Sequence, residues 1–429
     1  MESLIHEHSK PCPLPRFEIF QVPPTQHIVE KFTKTEHKPI SVLDSSSFVQ
    51  FEIQTAFDEY LDLEALFLLL EVKYKNIPGV KKYDILKLTE SKKEWADIKH
   101  EPYLLHSMIK QLDIFIGDTQ VSSSTPTYAY KAYLEALLGF SEDAKHSHLE
   151  AAFWSTDHND GWDYEPFQLF GRLHSDLVFQ NNVLLGGCKV TVRILFNDAK
   201  FYLSSNSHTP EFDLCSASLY TIRYRVPQYV VQAHDAGLKE SPAKYYLAAS
   251  RVKPFTIMNG VTDTNIDNLH SGQIPRRLFV MFVRNSAFNG SYNQPPFYFD
   301  HYFMNYLAIH VNGEQFPAKA YTPDFSKNKY MRCFLSLFEA LDMLGSHSNM
   351  KIDRYDYRKG LTIIGFNLSQ DNSNGPPGVG YAGPIKYGSV SLSVRFADPL
   401  SDTVTCLVYF EFDKILEIDI NRNAKIDLY

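Results

Sequence analysis

Leu112-Asp-Ile-Phe-Ile-Gly-Asp118, a turn, and then Tyr128-Ala-Tyr-Lys-Ala-Tyr-Leu-Glu-Ala-Leu-Leu-Gly139 make up the stretch that decides the fold, because the chain repeats it. About 200 residues later come Leu307-Ala-Ile-His-Val-Asn-Gly313, a turn, and Tyr330-Met-Arg-Cys-Phe-Leu-Ser-Leu-Phe-Glu-Ala-Leu-Asp-Met-Leu-Gly345. Both read as strand, turn, amphipathic helix and terminal glycine. A later pair keeps the order: Gly187-Cys-Lys-Val-Thr-Val-Arg-Ile194 parallels Ser389-Val-Ser-Leu-Ser-Val-Arg-Phe396. A unit used twice builds assemblies more often than active sites.

Working outward, the first helix is expected over Tyr128–Leu138. Tyr130, Tyr133, Leu134, Leu137 and Leu138 share one face, and Gly139 is its stop. The second is expected over Met331–Leu344. The remaining elements read as strands: Phe48–Gln54, Ala65–Tyr74, Ser107–Val121, Leu169–Phe179, Cys188–Phe196 and Leu214–Val226, then Tyr245–Ile257, Arg276–Arg284, Tyr302–Val311, Gly360–Leu368, Ser389–Phe396 and Val404–Phe412. A short helix, Gln228–Leu238, bridges the halves after Val226-Pro227. Residues 1–38 read as an irregular arm, punctuated by Pro11, Pro13, Pro15, Pro23 and Pro24. The lysine-rich stretch Ile77–Glu101 and the Gly/Pro/Asn-rich stretch Asp371–Pro384 read as loops.

Helices are too few for a parallel α/β sheet. The expected fold is all-β: two tandem eight-stranded antiparallel jelly rolls, each with an inserted helix. The expected division is an arm over 1–38, a first jelly roll over 39–227 and a second over 228–429.

Composition bounds the function. The 429 residues are 44% hydrophobic and 21% charged, so each half can bury a core. Aromatic residues make up 14%, which favours strands and large contact surfaces. The net charge of −8 and the absence of a basic tail speak against coating nucleic acid by phosphate contact; Lys81-Lys82 and Lys92-Lys93 are short pairs mixed with acids. No apolar run approaches a bilayer span; Leu66-Phe-Leu-Leu-Leu-Glu71 reads as a buried strand. The N-terminal segment lacks the apolar run of a signal peptide. Cys12, Cys188, Cys215, Cys333 and Cys406 are odd in number and scattered, as expected of reduced thiols in an intracellular compartment. The sequons at Asn289 and Asn367 are then chance matches.

Candidate chemistry is thin. His146 and His148 would share a face at i, i+2 if they lay on a strand, but they sit in a polar stretch with no third ligand at useful spacing and read as a solvated loop. His174 has Asp176 close in sequence, without an activated nucleophile to complete a triad. Gly375-Pro-Pro-Gly-Val-Gly380 is glycine-rich, but its prolines remove donors a phosphate cradle needs. Asp419-x-Asn421-x-Asn423 is the front half of a calcium loop, with Ala424 where glycine is required; the competing reading is a turn fixed by side-chain to backbone hydrogen bonds. No catalytic, cofactor or metal residue is assigned.

Several blocks resemble the major capsid proteins of polinton (Maverick) elements and adintoviruses. They are Gln21-Val-Pro-Pro-Thr-Gln26, the Tyr128–Gly139 helix with Ser141-Glu-Asp-Ala-Lys145, and Gly171-Arg-Leu-His-Ser-Asp-Leu-Val-Phe179. Ala287-Phe-Asn-Gly-Ser-Tyr292, Val311-Asn-Gly-Glu-Gln315 and Phe412-Asp-Lys-Ile-Leu-Glu-Ile-Asp-Ile-Asn-Arg-Asn423 follow in order. The resemblance runs from about residue 17 to the end and extends loosely to the double jelly-roll capsid lineage of virophages and adenovirus-like viruses. It implies a hexon-like homotrimer, six similar wedges around a three-fold axis, in an icosahedral virion shell assembled inside the host cell. It also implies neighbouring capsomers and a single jelly-roll penton protein as partners, no cofactor, and no direct sequence-specific contact with the genome. A carbohydrate-binding or attachment protein on the same sandwich is the alternative, with a hydrolase on a double β-sandwich behind it.

Overall fold

The computed structural model describes residues 8, 15–17, 19–20, 22–41, 48–75, 98–122, 125–156, 166–206, 208–346, 350–370 and 384–426. Lys81-Lys82, Lys92-Lys93, Cys12 and Gly375–Gly380 lie outside them, as do most of the two expected loops.

Among the described residues, sixteen strands build the two pairs of main sheets. In the first half they are β1 (Lys31–His37), β2 (Phe48–Gln54), β3 (Glu59–Lys75), β4 (Ile109–Ile116), β5 (Thr119–Gln120), β6 (Phe167–Arg172), β7 (Lys189–Phe196) and β8 (Glu211–Arg225). In the second they are β9 (Ala243–Ile257), β10 (Asp263–Gln273), β11 (Arg277–Arg284), β12 (Met304–Val311), β13 (Glu314–Tyr321), β14 (Ile364–Asn367), β15 (Tyr387–Phe396) and β16 (Val404–Ile418). The first half forms sheets β1-β8-β3-β6 and β2-β7-β4-β5; the second forms β9-β16-β11-β14 and β10-β15-β12-β13. All these pairs are antiparallel. Adding eight to each strand number of the first half gives the second. Two antiparallel sheets in this order make a jelly roll, and the chain contains two; in the second, a short strand at Ala424–Ile426 also pairs with the end of β16.

The repeated blocks fall on matching strands. Ile114 and Ile309 lie in β4 and β12; the Cys188 and Ser389 blocks lie in β7 and β15. Helix α1 (Tyr128–Gly139) is inserted between β5 and β6, and α3 (Met331–Ala340) between β13 and β14. Helix α2 (Gln228–Glu240), with Pro227 at its N-cap, joins the halves. Period-two patterning sets the faces: Val49, Phe51 and Ile53 of β2 and Val190, Val192 and Ile194 of β7 point into one core. In β16, Val404–Phe410 is buried on both faces. Burial holds the Tyr409 hydroxyl in this strand well above the ordinary phenol range.

Several elements differ from the sequence reading. Lys31–His37 lies inside the stretch read as an irregular arm, yet it is strand β1 and pairs with Leu219–Arg225. The prolines all precede it, and its seven residues are mostly polar because it is an exposed edge. Ser107–Val121 is not one strand: a helical turn, Leu104–Ser107, precedes β4, and Gly117 at φ +59° turns the chain into β5. The strand expected over Leu169–Phe179 stops at Arg172, and the expected helix over Met331–Leu344 stops at Ala340, with Asp342 left-handed beyond it. Strands β10 and β13, polar and at or near an edge, carry no alternation strong enough to announce them.

Candidate assembly surfaces

Helix α1 is where the halves meet. Ten of its twelve residues are buried, because it is covered from both sides. Tyr133 stacks on Phe297 of the second half at 4.4 Å between ring centroids, and Tyr130 stacks on Phe288 at 5.6 Å. Leu134 and Leu138 are buried in the continuous core.

The same helix brings a charged cluster into this junction. Lys131 Nζ donates to Asp176 Oδ1 at 2.5 Å and lies 3.8 Å from Glu135, one turn along. Asp176 Oδ1 accepts the backbone N–H of Ser250 at 3.1 Å, and Ser250 Oγ donates to Glu135 Oε1 at 2.5 Å. Ser250 belongs to β9, the edge strand of the second half. Thr127 Oγ1 donates to the Val252 carbonyl of the same strand at 3.2 Å. First-half side chains therefore satisfy two polar groups on the outer edge of β9, which seals an edge that would otherwise invite strand pairing.

His174 closes the cluster. Its Nδ1 lies 2.8 Å from Glu135 Oε2 and its Nε2 lies 2.8 Å from the Tyr103 hydroxyl. That geometry suits a neutral imidazole, donating to the carboxylate and accepting from the phenol. Burial, with Arg172 and Lys131 nearby, holds its pKa well below the ordinary histidine value. Burial raises the carboxyls of Glu135 and Asp176; the Lys131 charge opposes this in both. Close by, burial pushes Glu101 up to about 7. A cluster so enclosed holds the two halves in register; the cavity at its edge is about 10 Å³.

Further contacts cross between the halves. Arg422, left-handed at φ +67°, donates through Nε to the Gly186 carbonyl at 2.8 Å and through Nη2 to Asp235 of α2 at 3.0 Å. Lys145, in a short helix after α1, donates to the Met350 carbonyl at 3.3 Å.

The open surfaces have another character. Strand β1 ends its sheet with Lys31, Phe32, Thr33 and Lys34 exposed. Upstream, Ile28 and Val29 are exposed as well. Helix α3 buries Cys333, Ser336, Leu337, Phe338 and Ala340 but leaves Met331 and Leu335 outside. Its inner face rests on β14 so closely that a Cβ on Gly365 would stand 2.7 Å from that of Ala340.

The residues singled out in the sequence disperse. His174 and Asp176 share the junction, but His174 pairs with Glu135 and Asp176 with Lys131. His146 caps the Glu142–Lys145 turn and bonds Glu142 at 2.9 Å, while His148 opens a 3₁₀ helix, so the pair does not share a strand. Asp419 accepts the Asn423 N–H at 2.8 Å and its side-chain amide at 3.2 Å, closing a turn; these bonds hold its carboxyl below the usual range. Among the described residues no group of three or more His, Cys, Asp or Glu is placed to hold a metal ion. Cys188, Cys333 and Cys406 are buried thiols and Cys215 is exposed. Sequence reasoning missed Lys131 and Glu135. Their signal was an i, i+4 charged pair inside an otherwise apolar helix.

Comparison with solved structures finds the same architecture along nearly the whole chain. It covers 99% of this chain and 94% of a chain in the cryo-EM structure of the Sputnik virophage, with a TM-score of 0.61 and 12% identity. The fold is a double jelly roll. The Faustovirus major capsid protein matches at a TM-score of 0.56 and 8% identity, over 96% of this chain and 95% of that one. The mavirus major capsid protein matches at 0.51 and 11%, over 100% and 96%. By sequence, an uncharacterized protein of Caenorhabditis elegans is 27% identical over 344 residues, 76% of this chain and 80% of the relative. No protein-family model matches the chain.

Proposed function

We propose that this chain is the major, hexon-like capsid protein of a polinton or adintovirus type, a structural rather than catalytic protein. Three copies would form a pseudo-hexameric capsomer of an icosahedral virion shell. The observation that carries the reading is the double sheet order: one chain holds two jelly rolls with the same strand sequence, and neighbours of that fold include two viral major capsid proteins. Two like wedges per chain turn a three-fold ring into a nearly six-fold one, the shape a hexagonal lattice site requires. The nematode relative supports the integrated-element type within that lineage, since it is encoded by an animal.

The division that serves this role is an arm over 1–38, whose last strand is lent to the first jelly roll, a first unit over 39–227 and a second over 228–429. Partners are further capsomers and a single jelly-roll penton protein at the five-fold positions. No helix among the described residues is long and apolar enough to cross a membrane, and the acidic balance leaves genome condensation to other proteins. Light scattering coupled to size exclusion tests the reading. A stable species of three chains is expected; a single chain at every concentration up to tens of micromolar contradicts it.

A further inference from the structure

The repeat offers a comparison for the open surfaces. Within one chain, first-half elements (α1 and the segment after β6) lie against a second-half edge strand, β9, with Thr127 on Val252 and Asp176 on Ser250. The contact joins unlike surfaces. The chain also holds the complementary pair in the opposite order: α3 of the second half and edge strand β1 of the first. In α1 the residues facing the other half are buried. In α3 Met331 is 38% and Leu335 49% exposed, one turn apart on one face. In β1 Phe32 is 60% exposed, beside exposed Ile28 and Val29. Apolar groups left out at both ends of an otherwise satisfied repeat mark an interaction surface, and the continuity of that repeat names the occupant.

We propose that α3 of one copy docks on the β1 edge of a second copy of this chain, repeating between chains the contact that α1 makes with β9 inside one. The proposal rests on the capsomer reading above. Met331 and Leu335 enter on one side; Phe32, with Ile28 and Val29, receives them on the other. A head-to-tail contact of this kind closes into a ring when its rotation allows. In a ring of three it alternates with the three internal junctions.

The two contacts differ in chemistry. The internal one encloses Lys131, Glu135, Asp176 and His174. The external one has an apolar centre, with Lys31 and Lys34 of β1 exposed at its rim; on the α3 side Arg332, the cation beside Leu335, is already held by the carbonyls of Lys319 at 2.6 Å and Ala320 at 2.9 Å and lies over Tyr321. The contact between copies therefore resists salt, because screening weakens charge pairs and leaves apolar burial intact.

The test uses two variants of the full chain, Phe32→Glu and the double variant Met331→Glu/Leu335→Glu, with light scattering for mass and circular dichroism with thermal melting for fold. Wild type is expected as three chains in both 0.1 and 1 M NaCl. Each variant alone has lost one partner surface from every contact and is expected as a folded single chain. Mixed in equal amounts, the two variants retain one intact surface each and are expected to form a two-chain species that cannot close. A variant that alone keeps the wild-type mass overturns this contact and leaves the capsomer reading standing. Two folded variants that stay single chains when mixed overturn the head-to-tail pairing. Loss of the wild-type oligomer at 1 M NaCl overturns its apolar character. A wild type that is itself a single chain removes both the contact and the capsomer reading.

Discussion

Helices α1 and α3 occupy the same place in two copies of one topology, yet they are finished differently. Helix α1 has a core face on its own jelly roll and an outer face against the other half, with Lys131 and Glu135 tied to Asp176 and Ser250. Helix α3 has the core face, through Leu337 and Phe338, and leaves its outer face open with Met331 and Leu335. A repeat inside one chain thus serves as its own control. Where two matching elements differ only in what covers them, the uncovered one marks where another molecule belongs.

The strongest way to break this comparison is at Lys131. Removing the ammonium with Lys131→Met leaves the buried carboxylates of Asp176 and Glu135 without it, and a loss of about 3–5 kcal/mol in unfolding free energy is expected by chemical denaturation. Losses under about 1 kcal/mol would show that the cluster does not hold the halves. The inner faces should behave alike. Leu134→Ala in α1 and Leu337→Ala in α3, both fully buried, should each cost about 2–5 kcal/mol in the same assay. If only one does, the two helices are not equivalent parts of two cores.

Glu101 sharpens the comparison on the side of α1, where its charge bears on the hydroxyls of Tyr130 and Tyr133. Its folded pKa of about 7 lies above the ordinary glutamate value. The stability it contributes is therefore full below about pH 4.5 and lost as pH rises through 7. Glu101→Gln should stabilise the protein at pH 8 by on the order of 1–3 kcal/mol and have little effect near pH 4. Equal effects at the two values would remove burial as the cause. The smallest effect belongs to the open face: Leu335→Glu should change the unfolding free energy of the isolated chain by no more than about 0.5 kcal/mol. A larger loss would mean that Leu335 is part of the subunit's own core.

Much of the fold was legible because it is written twice. Ile114 and Ile309, and the helices that follow them, lie at matching positions, and period-two patterning marks strands β2, β7 and β15. The most polar edge strands were not legible. Lys31–His37 carries one large apolar residue, and β10 and β13 are mostly polar, since an edge or its neighbour need not hide both faces. The junction was legible only in part. His174 and Asp176 stood out by proximity in sequence, but Glu135 is 39 residues and Lys131 45 residues from their partners. Those contacts exist only after α1 packs beside the segment that follows β6. Which face of α3 stays open depends on packing against β14 and Gly365, which helical periodicity alone does not specify.

The most direct test of the central claim, that two like jelly rolls per chain exist to fill a six-cornered site with three chains, is electron microscopy of the purified wild-type protein. Class averages viewed down the symmetry axis should show six lobes of near-equal size in a hexagonal outline. Particles with only two lobes, or rings with any other number, would contradict it.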